Sequence, residues 1–314
     1  MTIFGYFIPI KIICVLSIIY AILFFCSLTF WLISFRNKSN FLEELTIRAN
    51  SWWKITIGVS LVVVGPKYIG TVLFAYISFV ALREMFSIGR IRSADRIALF
   101  VAYFAIPVQY FLAYNNYYEG FLIFIPLVMF ISLPIILVLT GKTKMIGRSM
   151  SIIPAMLMLT VYMLSHMILL FNIPLKNSSA GPGGLIIFLI MITSFNDVFQ
   201  FTWGKLIGKY KILPNVSPNK TWGGFIGGVL TTGALAFLMR FLTPLEGLES
   251  FLMGIAIGII GFLGDSLISA IKRDLDIKDT DDLIPGHGGA MDRLDSIILT
   301  APVFYHLLKL FIYN

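Results

Sequence analysis

The sequence predicts an all-α, polytopic integral membrane protein: a helical bundle with eight clear spans and a broken hairpin tract, eight to ten crossings in all. Three observations predict it. Hydrophobic residues make up 58% of the chain and charged residues only 13%, a balance that fits a bilayer rather than water. Apolar stretches recur at about the 20 residues a helix needs to cross hydrocarbon. Basic residues collect in alternate loops, the pattern that sets membrane orientation.

The first run, 9–34, is too long for a cleaved signal and lacks a basic leader, so it reads as a span. Cys14 and Cys26 lie within it and read as apolar filler rather than as a disulfide or zinc pair. The next apolar tract, 55–82, is interrupted at Gly65-Pro66-Lys67. It is either two short spans or a re-entrant hairpin. Seven further spans follow, at about 97–114, 120–139, 149–170, 184–200, 224–242, 251–271 and 296–312.

Basic residues orient these spans. Arg36, Lys38, Arg48 and Lys54 follow the first; Arg83, Arg90, Arg92 and Arg96 precede the 97–114 span. Lys142, Lys144 and Arg148 fill one later loop, and Lys205, Lys209, Lys211 and Lys220 another. The intervening loops, 115–119, 171–183 and 243–250, hold only Lys176. The positive-inside rule then places the basic loops in the cytoplasm and both termini outside. It also requires tract 55–82 to enter and leave on one side. The net charge of +8 needs no nucleic acid, because cytoplasmic lysines attract anionic headgroups and nucleotides. Three segments result: 1–96 with the broken tract, 97–183 with central helices, and 184–314 as a catalytic membrane domain with loops 201–223 and 272–295.

The stretch from Gly264 to Asp295 is densely charged in an otherwise apolar chain, and charge beside a bilayer is costly and usually functional. Asp265, Ser269 and Lys272 share one helical face. Asp265 lies inside the polar end of its helix and needs a cation: Lys272, Arg273 or a metal. The Pro285-Gly286-His287-Gly288-Gly289 segment cannot be helical and allows close backbone approach to a ligand. Asp292 and Asp295 start the next helix on one side of it. Three carboxylates beside a Lys-Arg pair fit Mg²⁺ bound together with phosphates. In loop 201–223, Thr221 with Ser217 is placed to cap the following helix, whose N-terminal amides favour an anion.

The run SAIKRDLDIKDTDDLIPGHGGAMDRLD resembles the signature of the CDP-diacylglycerol synthases, also called phosphatidate cytidylyltransferases. Its fixed elements stand here as Ser269, Lys272-Arg273, Lys278-Asp279, Pro285, His287-Gly288-Gly289, Asp292-Arg293 and Asp295. A second block of the family is matched by Ser217, Pro218, Lys220, Thr221, Trp222, Gly224, Gly227 and Gly228. Gly223 replaces a Glu of that block, Asp281 a small residue and Ala290 a larger aliphatic one. Upstream, Asp197 with Gly204 and Gly208 keeps the spacing of the family's Asp-Thr-Gly-Ala-Tyr block, but here the residues are Asn196-Asp197-Val198-Phe199-Gln200. The chain resembles a divergent branch, matched strongly over about 190–305.

The resemblance implies that CTP and phosphatidate, or a close anionic analogue, give CDP-diacylglycerol and pyrophosphate. It implies Asp265, Lys272, Arg273, Asp292 and Asp295 as catalytic residues. Asp197, Ser217, Lys220, Thr221, Lys278, Asp279, His287, Gly288 and Arg293 would bind substrate. Mg²⁺ would sit on Asp265 and Asp292, with room for a second cation. A bacterial inner membrane is expected, the site facing the cytoplasm, with a homodimer as one admissible assembly. A CTP-dependent polyprenol or phytol kinase is the alternative within lipid chemistry; an anion transporter or inactive relative is the alternative outside it. Outside the motifs, His166 and His306 read as packing residues, and Glu84 as an interfacial ion pair with Arg83.

Overall fold

The computed structural model describes residues 2–3, 6–34, 40–89, 91–175, 180–280 and 288–313. Ten long helices account for most of them. They are α1 Ile10–Ser34, α2 Asn40–Val64, α3 Lys67–Ile88, α4 Arg96–Tyr114, α5 Tyr118–Leu139, α6 Ile146–Asn172, α7 Gly181–Ile207, α8 Trp222–Leu238, α9 Gly247–Asp274 and α10 Met291–Tyr313. Nine of these, all but α2, are long and apolar enough to cross a membrane among the described residues. Two short antiparallel pairs are the only strands described: Thr2–Ile3 with Tyr6–Phe7, and Lys211–Leu213 with Ser217–Thr221.

The broken tract resolves into the end of α2 and most of α3, with Gly65 and Pro66 between them. Pro66 is the N-cap residue of α3, where its missing N–H costs nothing. Lys67 donates to the Tyr114 carbonyl and to Asn172 Oδ1, at the ends of α4 and α6. Glu84, 17 residues further along α3 and so about 25 Å away, touches the start of α10. α3 therefore runs the depth of the bundle, and the α2–α3 hairpin turns at the end opposite α10's first turn.

Several helices exceed the apolar runs that announced them. α7 continues to Ile207, and α10 begins at Met291 rather than near 296. Backbone hydrogen bonding, not hydropathy, ends a helix, so charged first and last turns belong to the helices. Asp197, Asp265, Asp292 and Asp295 all stand on helices, as their spacing and spans predict.

Buried apolar residues from α3 to α7 and α10 fill the centre, among them Leu82, Leu133, Leu157, Ile186 and Phe304. α1 buries only Ile12, Val15 and Leu16, leaving an apolar outer surface suited to lipid. In the C-terminal half, α7 packs on α8, α8 on α9 and α9 on α10. Gly258, Gly261 and Gly264 form a small-residue stripe on α9, with Asn196 against the first two and the Asp295 backbone against the third. Without side chains there, the helices approach closely enough to bring their polar residues together.

Candidate active site

Three helices and the hairpin converge on a cavity of ≈ 190 Å³ whose lining includes Asp197, Gln200, Ser217, Lys220, Thr221 and Asp265. The hairpin's second strand delivers Ser217 and Lys220 and runs directly into α8. Thr221 is the N-cap of α8 and accepts from Gly224 N at 3.2 Å, satisfying one of the free first-turn amides. Any side chain at Gly208 or Gly224 would collide with Thr221 or with the α7 backbone, so glycine is what lets α7 and α8 meet at this cap.

Lys220 is the cation that Asp265 requires. Its Nζ lies 2.8 Å from Asp265 Oδ2, donates to Ser266 Oγ at 2.8 Å, and sits 4.5 Å from the centre of the Phe262 ring. The expected partners on Asp265's own helix are engaged elsewhere. Lys272 donates to Asp292 Oδ1 at 2.6 Å, and Arg273 holds the Val216 and Ile277 carbonyls. Helical spacing does put Ser269 on Asp265, through a 3.2 Å bond to Oδ1.

Asp292 is nearly enclosed, with a 7% exposed side chain. Besides Lys272 it accepts from Thr280 N at 3.0 Å and Gly289 N at 3.1 Å, and the Thr280 hydroxyl lies 3.0 Å from Oδ2. Asp295, one turn on, feels the negative charges of Asp265 and Asp197 and the positive charge of Lys272. Asp197 is accessible from the cavity, accepts from Ser296 Oγ, and feels Asp265, Lys220 and Arg293. Asp197, Asp265 and Asp295 thus lie within electrostatic reach of one another, and Lys272 pairs with Asp292. Lys278, Asp279 and Arg293 are exposed, and Gly288 takes a φ of 81°, a left-handed conformation natural to glycine. His287 lies outside the described residues, as do Pro285 and Asp281.

The residues present fit Mg²⁺. Among the described residues no three His, Cys, Asp or Glu side chains converge on one point; Mg²⁺ takes one or two carboxylates and fills its shell with phosphate oxygens and water. Asp265 Oδ1 and Oδ2 and Asp292 Oδ1 each have a single partner among the described residues, which leaves each a lone pair for a hard cation.

The sequence profile of the cytidylyltransferase family matches residues 46–311. The chain belongs to that family. It is a nucleotidyltransferase of a multi-pass membrane type. It is 41% identical to the protein named "Uncharacterized protein YnbB" of Escherichia coli K12, over 85% of this chain and 88% of that one. It is 36% identical to the phosphatidate cytidylyltransferase of Rickettsia bellii over 48% of this chain and 65% of that enzyme, and 44% identical to that of Aquifex aeolicus over 38% and 45%. The chain thus spans about half to two-thirds of the phosphatidate cytidylyltransferases it matches.

Several contributors to this candidate site carry no strong signal in the sequence. Ser266 and Ser296 look like ordinary helix residues, and Thr280 is one polar residue in a polar run. Asn196 is fully buried, and its Oδ1 accepts from Gln200 and Thr232. Glu84 is not an interfacial partner of Arg83: it is 2% exposed and accepts from the start of α10. A carboxylate within an apolar helix was the available clue.

Gly223, where related sequences are expected to carry Glu, packs against α7. A Cβ there would stand 2.8 Å from the Ile207 carbonyl oxygen, so α7's last turn must shift to admit any side chain. Gly223→Glu should therefore destabilise the protein by about 1–3 kcal/mol and lower turnover, read as a reduced melting temperature in detergent. Wild-type melting with raised turnover would show that the glycine is only a substitution of convenience.

Proposed function

We propose that the protein transfers the cytidylyl group of CTP to the phosphate of phosphatidate or a close anionic analogue, releasing pyrophosphate and forming a CDP-lipid. The observation that carries this reading is the Lys220–Asp265 pair, formed between the hairpin strand and α9 and lining one cavity beside the α8 N-terminus, with the Lys272–Asp292 pair joining α9 to α10, within a family of cytidylyltransferases. The relatives named phosphatidate cytidylyltransferase support the choice of lipid.

Both reactants are polyanions, so the barrier is largely charge repulsion, and the site must supply positive charge and fixed geometry. An oxygen of the lipid phosphate attacks the α-phosphorus of CTP; the bond from that phosphorus to the bridging oxygen of the β-phosphate breaks, and pyrophosphate departs. The attacking phosphomonoester is already anionic, its second pKa being about 6, so no strong general base is required. Lys220 and Lys272 balance charge on the attacking and leaving phosphates, and the Arg273 guanidinium ties the hairpin's turn, at the Val216 carbonyl, to α9. Asp265 and Asp292 would hold Mg²⁺, which when bound neutralises phosphate charge. The alternation of basic loops supports a cytoplasmic site, reached by CTP from water and by lipid from between the helices.

Purified protein given Mg²⁺, CTP and phosphatidate should yield pyrophosphate and a CDP-lipid. Free CDP with a phosphorylated lipid alcohol would instead indicate a kinase. Orientation has its own check: single cysteines at 145 and 215 should react with a membrane-impermeant thiol reagent only from the cytoplasm, and one at 116 only from outside. Labelling of 116 and 215 from the same face would contradict the arrangement.

A further inference from the structure

The first turn of α10 carries Asp292 and Asp295, and something must fix where it stands. A helix start leaves backbone N–H groups with no partner inside the helix. Here Ala290 N donates to Glu84 Oε2 at 2.8 Å and Met291 N to Glu84 Oε1 at 3.1 Å. Glu84 lies on α3, some 206 residues earlier in the chain, and is 2% exposed. The Thr280 hydroxyl, N-terminal to the glycine-rich segment in sequence, also donates to Glu84 Oε1, and Thr280 N donates to Asp292. Gly289 lies directly on this junction: any side chain there would run into the Glu84 carboxylate and the Thr280 hydroxyl.

We infer that Glu84 is a positioning residue for the cytidylyl-transfer site, an inference that rests on the function proposed above. From the N-terminal half of the chain it clamps residue 280 and residues 290–291, and so sets the place of Asp292 and, one turn on, of Asp295. The physical reasons are two. Buried backbone donors must be satisfied, and a carboxylate at a helix N-terminus also meets the positive end of the helix dipole. A backbone cap is also stiffer than a side-chain contact, because it fixes the helix that bears the acids rather than one rotamer. The same contact explains why residue 289 is glycine: the carboxylate occupies the space that a Cβ would need.

Glu84 touches neither Lys220 nor the hairpin, so its loss should disturb turnover more than CTP binding. Glu84→Gln keeps size but faces an NH₂ group toward a backbone donor. Its kcat should fall about 10–100-fold, with KM for CTP within about threefold of wild type. The Mg²⁺ concentration for half-maximal rate should rise, and amides 288–292 should exchange hydrogen faster than in wild type while those of α5 do not. A cap that served stability alone would leave the Mg²⁺ dependence unmoved. Gly289→Ala provides the second arm: it should be severely impaired alone but much less so in a Glu84→Ala background, because the obstructing carboxylate is gone. Wild-type kcat and exchange in Glu84→Gln, or equal cost of Gly289→Ala in both backgrounds, would overturn the inference. If wild-type protein makes no CDP-lipid, the proposed function fails instead, and amide exchange and the melting temperatures of the Gly289→Ala pair still decide the clamp.

Discussion

Asp265→Asn is expected to lower turnover on the order of a thousandfold, the scale of losing a preorganised charge at a phosphoryl centre. The substitution keeps the size and the Ser269 contact but removes the charge that holds Lys220 and that would hold Mg²⁺. Asp292→Asn should cost a similar factor, since it removes the second carboxylate with a lone pair to offer. If the two serve one ion, the double variant should be little worse than either single, because groups acting as a unit are strongly non-additive. Raising Mg²⁺ should partly restore either single variant. Steady-state rates across a Mg²⁺ series measure this; independent, multiplicative losses would separate the two carboxylates into different roles.

Lys272→Met is expected to give the largest loss of stability, about 3 kcal/mol, because it leaves the enclosed Asp292 carboxylate without its ammonium. The side chains of this pair are 12% and 7% exposed, so solvent cannot replace the missing charge. Thr280 and Gly289 still donate to Asp292, which keeps the cost below that of a wholly unpaired ion. Adding Asp292→Asn to Lys272→Met should recover much of the melting temperature while leaving the protein inactive. Recovery of activity along with stability would mean that the pair is scaffolding only. No recovery of stability would mean that Lys272 acts through other contacts.

Much of the architecture is legible in the sequence because the bilayer imposes it. Apolar runs of fixed length announce the helices, Gly65-Pro66 announces the hairpin break, and Thr221 before glycines announces the cap of α8. The partners within the site are less legible, for a geometric reason. Sequence spacing identifies neighbours on one helix face, as it does for Asp265 and Ser269. It says nothing of a lysine 45 residues away on a strand, and so Lys220 stands where Lys272, Arg273 or a metal was expected. Glu84 shows the same limit more strongly. Two of its partners are backbone N–H groups, which all residues but proline possess, so side-chain patterning does not point to them. Hydropathy alone starts the last span near 296, whereas the three-residue spacing of Asp292 and Asp295 already sets both at the start of a helix, as α10 has them.

The central claim is the transfer of the α-phosphoryl group of CTP, with its cytidine, to a lipid phosphate. It is tested most directly by following phosphorus label from two preparations of CTP into the lipid phase, with phosphatidate and Mg²⁺ present. Label at the α position should pass into a lipid that still carries cytidine, while label at the γ position should stay in water as pyrophosphate. Label from the γ position in the lipid, with α label left in water as CDP, would contradict the account.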